Sequence, residues 1–400
     1  MNWLKMPTAG TPYTLSDVIQ AKIGLVRTER TLTHFTDILK RYLQVENMAL
    51  VNSGTTANYI LYKLLLAIRK RPEQDEVILP AYTAPSLLLP INAVGLKAVL
   101  VDIDPTTCNM DIQKIADAVS DRTLAIMPVH MFGLPCAVEP ILNLTENSDI
   151  FVIEDAASAL GTTIHGKYIG TIAPFGFYSL NRGKNVSTFA GGIIVWKNGE
   201  YTEIINNLIG ELPALSFYAQ TTLFMKFFGL SLAVRPLIYT LLAKILTKFK
   251  YTTLHTHFDS FQYTTMQAAL GTNIWKRITK LTQRRIQNGV ELHQIFSGRS
   301  GYRIANIPAD SQVAFNQFPV IVDNLNKREL IINHLLEQGI ETTTLYDHPL
   351  HHIFPDLNPS AGDPFPNATY LAEHLLLIPP HAQIRSKHIE IVRKVIDSVA

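Results

Sequence analysis

The sequence predicts an α/β fold, with a large domain built on a mostly parallel sheet and a smaller α+β domain at the C-terminal end. As far as residue 195, short apolar strands alternate with helical stretches of about 10–15 residues, which is typical of parallel strands joined by helical crossovers. Hydrophobic residues make up 47% of the 400-residue chain and charged residues 17%, a balance typical of a folded protein with a sizeable core.

The composition excludes several classes of protein. The 35 basic and 33 acidic residues nearly balance, and no basic run indicates nucleic acid as a partner. Cys108 and Cys136 are the only cysteines, so neither a disulfide framework nor a metal-ligand cluster is predicted. The first ten residues lack the long apolar core of a signal peptide, and we therefore expect a cytoplasmic enzyme.

We predict an N-terminal arm over residues 1–47, a large domain over 48–257, and a linking helix with the small domain over 258–400. Apolar residues at helical spacing indicate the helices, and Gly339 is expected to end one of them. Helices are predicted over residues 33–43, 85–94, 266–295, 327–338 and 387–398, with another ending near residue 68. Strands are predicted at residues 48–51, 76–83 (with a turn), 97–102, 124–129, 151–153, 177–180, 191–195, 318–322 and 342–346.

The stretch from residue 151 to 195 contains the candidate chemistry. A predicted strand ends at Glu154 and Asp155, and Lys184 follows the next strand. Open α/β sheets bind ligands at the carboxyl ends of their strands, so Asp155 and Lys184 are expected to face one crevice. Pyridoxal phosphate needs a lysine for its aldehyde and an anion for its ring nitrogen. Taken singly, each residue also has an ordinary interpretation, the aspartate as a cap and the lysine as a surface group.

A second signal is the small-residue turn at residues 52–57, between a predicted strand and a helix. Backbone N–H groups at a helix N-terminus favour anions, so this turn is a candidate phosphate cradle. An ordinary helix cap is the alternative. Ser179, at the end of the strand before Lys184, is also placed to bind phosphate.

These motifs resemble those of the DegT/StrS family of PLP-dependent sugar aminotransferases. The segment EDAASALG at 154–161 is similar to the family's EDAAQALG, and the Lys184 segment is similar to its lysine and glycine-rich loop. The resemblance covers nearly the whole chain outside residues 201–257. It implies PLP-dependent fold type I, pyridoxal 5′-phosphate as cofactor, a keto sugar nucleotide as substrate, glutamate as amino donor, and a homodimer with shared active sites.

The resemblance also implies a set of site residues. Lys184 and Asp155 are the catalytic pair, with His130 and His351 as substrate-binding candidates; a structural role is an equal alternative for His130. The implied cofactor-binding residues are Gly54, Thr55, Thr56, Tyr82, Asp155, Ser158, Ser179, Asn181, Lys184 and Ser260. No metal ligand is implied.

The chain departs from the family pattern at several positions. Ser158 replaces a cofactor-contacting glutamine, and Ala84 replaces the aromatic residue that stacks on the cofactor ring. Phe189-Ala190 replace Gly-Glu, and Gln262 replaces an Arg. Ser260 replaces an Asn that in the family reaches the partner subunit's phosphate. These departures leave a non-catalytic or regulatory PLP-binding protein as the alternative. A dehydratase is a second alternative, but the resembling dehydratases carry histidine in place of the lysine.

Residues 212–246 form an unusually apolar insertion, interrupted by Lys226, Arg235 and Lys244. No window of about 18 uncharged apolar residues is present, which argues against a membrane-spanning helix. Pro236 predicts two helices that join near residues 234–236. Three interpretations stay open: helices packed on the dimer, an amphipathic hairpin on a membrane surface, or a true span. The basic residues of the later helix are predicted to form a solvated face: Lys276, Arg277, Lys280, Arg284 and Arg285.

Overall fold

A computed structural model describes residues 4–8, 10–246, 254–358 and 362–399. Its helices are α1 Leu15–Gly24, α2 Arg30–Leu43, α3 Gly54–Ile68, α4 Leu88–Ala93, α5 Ile112–Ala118, α6 Val138–Thr145, α7 Thr202–Gly210, α8 Phe217–Ala233, α9 Pro236–Leu246, α10 Thr265–Trp275, α11 Ile278–Phe296, α12 Leu325–Glu337, α13 Leu350–Ile353, α14 Pro366–His374 and α15 Ser386–Ser398. Its strands are β1 Asn47–Val51, β2 Glu76–Pro80, β3 Lys97–Val101, β4 Ile103–Asp104, β5 Asn109–Met110, β6 Thr123–Ile126, β7 Phe151–Asp155, β8 Thr163–Ile164, β9 Lys167–Tyr168, β10 Phe175–Ser179, β11 Gly192–Trp196, β12 Tyr302–Ile304, β13 Ser311–Gln312, β14 Phe318–Val322 and β15 Leu375–Ile378.

The large sheet has seven strands in the order β1-β11-β10-β7-β6-β2-β3. All neighbours from β10 to β3 pair in parallel, while β11 runs antiparallel to both β1 and β10. Six strands therefore point the same way and one is reversed. Every residue of β10 and β11 is buried, as expected of a sheet covered on both faces. The predicted α/β class with a mostly parallel sheet is confirmed.

A second, antiparallel sheet of three strands, β12-β14-β15, lies in the C-terminal part. It packs with α11, α12 and α14, and α15 closes over α11 and α12. Buried residues of both sheets, such as Val77 and Val320, belong to one continuous apolar core. The structure thus contains the predicted large α/β and smaller α+β layers, and the domain boundaries stay a prediction.

The N-terminal helices α1 and α2 both pack on α10. Gly271 permits this contact, because a Cβ atom there would lie 2.3 Å from the ring of Phe35. The buried carboxylate of Asp17 accepts hydrogen bonds from Arg277 Nη1 at 3.0 Å and from Asn273 Nδ2 at 2.9 Å. The residues predicted as an arm therefore lie against the body of the same chain.

Two predictions about the helical region after residue 264 are wrong. The single helix predicted over 266–295 is two helices, because the backbone at Arg277 leaves helical geometry (φ −126°, ψ 14°). The basic run is only partly solvated: Arg277 pairs with Asp17, and the buried Arg285 donates to the carbonyl of Phe315 at 2.9 Å.

The strand predicted at 342–346 is absent as well. Only an isolated bridge joins Thr343 to Leu377, and Leu345 has a positive φ of 65°, which interrupts extended backbone.

The apolar insertion forms the two predicted helices, α8 and α9, joined at Val234 and Arg235. α8 buries Phe224 and Phe227 against the body, and the Tyr239 hydroxyl of α9 donates to the Glu341 carboxylate. No helix within the described ranges is both long and apolar enough to cross a membrane. The side chain of Lys244 lies outside the described residues.

Candidate active site

A cleft of about 140 Å³ opens at the carboxyl edge of the large sheet. The ends of β7 and β10, the segment after β6 and the first turn of α3 all line it. This is where open α/β sheets bind ligands, because neighbouring parallel strands end together there. Of the predicted site residues, those lining the cleft are Gly54, Thr55, His130, Asp155, Ser158, Ser179, Asn181 and Lys184.

Asp155 is the last residue of β7, and its carboxylate is almost fully buried. One carboxylate oxygen accepts the N–H of Ala157 at 2.8 Å. Burial raises the pKa of Asp155, while the Ala157 N–H and the positive charge of Lys184 oppose this rise. A positively charged group beside Asp155 therefore favours its ionised form.

Glu154 points to the opposite face of the strand, since successive side chains alternate. Its fully buried carboxylate accepts the N–H groups of Gly170 at 2.7 Å, Ile172 at 2.6 Å and Ala173 at 2.5 Å. Glu154 thus anchors the loop before β10. Sequence reasoning assigned it no role, although the two-residue period of a strand separates it from Asp155.

Lys184 lies in the loop between β10 and β11, where its N–H bonds to the Asn181 carbonyl at 3.2 Å. Its Nζ donates a hydrogen bond to Ser158 Oγ at 2.8 Å. Burial lowers the pKa of Lys184, and the carboxylate of Asp155 opposes this shift. The lowered pKa makes a neutral amine, the nucleophilic form, easier to reach than for an exposed lysine.

The start of α3 and the end of β10 form the anion cradle of the cleft. Ser53 caps the helix by accepting the Thr56 N–H at 3.0 Å. A Cβ atom on Gly54 would lie 3.1 Å from Ser179 Cβ, so glycine lets the helix start approach the strand end. The N–H of Asn181 donates to Ser179 Oγ at 3.3 Å. A 15-residue helix that begins here favours phosphate at its N-terminus.

These groups fit pyridoxal phosphate. Lys184 offers an amine for the aldehyde, Asp155 a buried carboxylate for the pyridine nitrogen, and the first turn of α3 with Ser179 a cradle for the phosphate. Each of the three chemical parts of the cofactor therefore has a matching group on this one cleft.

Three predicted cofactor ligands lie outside this lining. The hydroxyl of the buried Thr56 is 3.0 Å from Ser53 Oγ and 3.5 Å from Ser260 Oγ. Tyr82 is also buried, and its hydroxyl donates to the carbonyls of Thr344 and Tyr346, each at 3.3 Å. Cofactor contact by Thr56, Tyr82 and Ser260 stays a prediction.

Ala84 does line the cleft, as its place in the motif predicts, and the rings there belong to Phe132, Phe177 and Tyr346. Sequence reasoning missed Tyr346 as a cleft residue. It comes from the C-terminal part, and no local pattern connects it with β7.

The two predicted histidines have different surroundings. His130 lines the cleft, but its Nδ1 accepts the Cys136 N–H at 3.0 Å and its Nε2 lies 2.9 Å from Glu154. Both ring nitrogens are thus bound within the protein, which favours the structural alternative. His351 lies outside the cleft lining, with Nε2 3.0 Å from Asp363. His351, His352 and Asp363 have ligand atoms within 4.8 Å of one another, a grouping that the sequence analysis did not identify.

Comparison with known proteins identifies the family of this chain. The sequence profile of the DegT/DnrJ/EryC1/StrS aminotransferase family matches residues 14–399. The chain belongs to this family. It is a PLP-dependent aminotransferase by family, and its cofactor is pyridoxal 5′-phosphate.

Individual relatives match different shares of the chain. GDP-perosamine synthase of Caulobacter vibrioides is 35% identical over 182 residues, 46% of this chain and 48% of that protein. GDP-4-keto-6-deoxy-D-mannose 3-dehydratase of Yersinia pseudotuberculosis is 32% identical over 166 residues, 41% of this chain and 42% of that protein. A putative sugar aminotransferase of Streptococcus pneumoniae, in its PMP form, superposes with a TM-score of 0.78 at 23% identity over 99% of this chain and all of that one.

Proposed function

We propose that this enzyme transfers an amino group from glutamate to a keto sugar nucleotide. The observation that carries the proposal is the Lys184 amine, which reaches into a cleft that also contains the buried carboxylate of Asp155. The similarity to GDP-perosamine synthase over nearly half the chain supports a sugar nucleotide as the amino acceptor.

Asp155, Lys184 and Ser158 have different roles in this reaction. Pyridoxal phosphate, when bound, supplies an electron sink for the bond broken at the donor's α-carbon. Asp155 would hold a proton on the ring nitrogen through its negative charge, and the hydrogen bond from the Ala157 N–H favours that charged form. Lys184 Nζ accepts the proton from the α-carbon, and its lowered pKa favours the neutral amine that this step needs. Ser158 Oγ orients that amine from 2.8 Å.

Lysine at position 184 also favours amino transfer over the dehydratase alternative. The resembling dehydratases carry histidine in the corresponding place, whereas this chain has an amine there. The two reactions leave different products, since the first adds an amino group to the sugar and the second removes water. Mass spectrometry of the sugar nucleotide separates them.

The test uses purified enzyme loaded with pyridoxal phosphate. Glutamate alone should convert the cofactor absorbance from the aldehyde to the amine form, and a panel of keto sugar nucleotides should then restore it. After borohydride reduction, peptide mapping should place the pyridoxyl group on Lys184. An adduct on another lysine would exclude Lys184 as the cofactor lysine, and no spectral change with glutamate would favour the regulatory alternative.

We also propose a homodimer with active sites shared between subunits. This proposal rests on the family resemblance, because in the family the residue at the position of Ser260 reaches the partner subunit's phosphate. In this chain Ser260 Oγ lies 3.5 Å from Thr56 of the same subunit, so the shorter serine would need a partner within its own reach. Light scattering of the holoenzyme measures the mass directly. A monomer that retains full activity would exclude shared sites.

A further inference from the structure

The hairpin of α8 and α9 has two sides of different character. Its inner side is anchored: Phe227 is fully buried, and its ring lies 5.1 Å from that of Tyr13. Lys5 N–H also donates to Thr240 Oγ1 at 2.8 Å. The hairpin is therefore a docked part of the enzyme, and its orientation on the body is fixed by buried contacts.

The outer side exposes large apolar residues. On α8, Tyr218 and Met225 are spaced to share one side of the helix and are 82% and 57% exposed. On α9, Leu237 and Leu241 lie one turn apart, opposite the buried Tyr239, and are 56% and 74% exposed. With Phe228, which is 38% exposed, these residues form what we call the hairpin outer face: Tyr218, Met225, Phe228, Leu237 and Leu241. Five large apolar side chains exposed on one hairpin favour a binding partner for this side of it.

The charge of the segment identifies the chemistry of that partner. From residue 212 to 258 the sequence contains five Lys and Arg residues and no Asp or Glu, although basic and acidic residues nearly balance in the whole chain. Lys226 and Arg235 are exposed, and neither forms an ion pair within the described residues. An apolar helix face with Lys and Arg beside it is typical of helices that lie on anionic membranes.

A second copy of this chain fits the same face less well. A two-fold interface places a patch against itself, so Lys226 and Arg235 would meet a surface equally rich in cations. Anionic lipid headgroups supply the missing negative charge, while their acyl boundary accepts the apolar side chains.

We propose that the hairpin outer face docks this enzyme on anionic membrane surfaces. The inner side of α8 packs beside the loop that carries Lys184, since Phe227 and Phe189 are ring neighbours at 6.4 Å. Membrane contact would thus be made by an element next to the active site. This inference does not depend on which sugar the enzyme uses.

The test is flotation of the full-length holoenzyme with lipid vesicles. Wild-type protein should float with phosphatidylcholine–phosphatidylglycerol vesicles, less with phosphatidylcholine alone, and less as salt rises. The double variant Met225→Ser/Phe228→Ser should bind at least about tenfold more weakly, because apolar contact is lost. The double variant Lys226→Gln/Arg235→Gln should lose about fivefold in affinity for anionic vesicles for each cation removed, and its binding should depend much less on salt.

Matched controls distinguish this contact from non-specific adsorption of the protein to vesicles. Leu330→Ser on α12 removes an apolar side chain that is 50% exposed, and Lys280→Gln removes an exposed cation; both should float like wild type. Circular dichroism verifies that each variant folds. Failure of the wild type to float with anionic vesicles overturns the proposal. Binding that resists a carbonate wash also overturns it, because that result indicates insertion into the membrane. A Met225→Ser/Phe228→Ser variant that becomes monomeric but still floats like wild type overturns it too, because the face would then be a subunit interface.

Discussion

Phe189, in the loop that carries Lys184, packs against Phe227 of α8, with ring centroids 6.4 Å apart and ring planes at 74°. Tyr13 contacts the same Phe227 ring and also donates its hydroxyl hydrogen to the Ser187 carbonyl at 3.1 Å. Phe189 stands where the resembling family has a small residue, and Phe227 belongs to the insertion. The two departures therefore match each other: the added hairpin supplies an apolar partner for the altered loop.

Replacing Phe227 should loosen this loop. Phe227→Ala deletes a fully buried ring and should lower the free energy of unfolding by about 3–5 kcal/mol. Hydrogen exchange of residues 185–190 should quicken, and urea denaturation measures the stability. Phe228→Ala is the matched control, since that neighbour is 38% exposed and should change stability by about 0.5 kcal/mol or less. Equal effects of the two substitutions would refute the role given to Phe227.

Glu154 provides a test of stability that leaves Asp155 and Lys184 unchanged. Glu154→Gln should lower the free energy of unfolding by about 3 kcal/mol or more, because an amide NH2 would face donors that now bond to a carboxylate. Asp121→Asn, at a fully exposed carboxylate, is the control. Thermal unfolding of both variants measures the difference. A Glu154→Gln protein as stable as wild type would show that the anchor is not needed.

Local patterns predicted much of this molecule. Asp155 and Lys184 could be placed at one crevice because parallel strands bring their carboxyl ends to one edge, and the family resemblance then favoured this pair over a cap and a surface lysine. The hairpin could be predicted from Pro236, which cannot continue a helix. These features depend on neighbours within a few residues, or on a general property of sheets.

The features that the sequence did not predict depend on contacts between distant parts of the chain. Arg277 looked like a solvated cation, but its partner Asp17 is 260 positions away. Arg285 is buried and donates a hydrogen bond to the carbonyl of Phe315, which lies 30 positions later in the chain. Tyr346 enters the cleft from the C-terminal part. Each depends on tertiary contacts, which a charge run or a short motif does not encode.

The pKa of Lys184 can be tested without the cofactor. Burial lowers this pKa below that of an ordinary lysine, so the neutral amine should predominate at a lower pH. In cofactor-free enzyme, competitive acetylation followed by peptide mass spectrometry should show Lys184 reacting at lower pH than the exposed Lys280. The Asp155 carboxylate opposes the shift, so Asp155→Asn should move the Lys184 midpoint further down. An upward movement would contradict the proximity of the two groups.

Asp155 gives the sharpest test of the catalytic assignment. Asp155→Asn keeps a side-chain oxygen for the Ala157 N–H, now bonded at 2.8 Å, but removes the negative charge from the cleft. Cofactor should still bind through Lys184 and the α3 cradle. The half-reaction with glutamate should nevertheless slow by at least about a hundredfold, because the ring nitrogen loses the anion that holds its proton. Single-turnover absorbance measures this rate, with cofactor content determined in parallel.

Two further variants decide the cause of any such loss. Asp155→Glu keeps the charge with a longer side chain and should recover part of the rate. Ser158→Ala removes the hydroxyl that lies 2.8 Å from Lys184 Nζ, yet leaves Asp155 intact, so its effect should be smaller than that of Asp155→Asn. An Asp155→Asn enzyme that runs the half-reaction near the wild-type rate would remove Asp155 from the mechanism, whatever its burial.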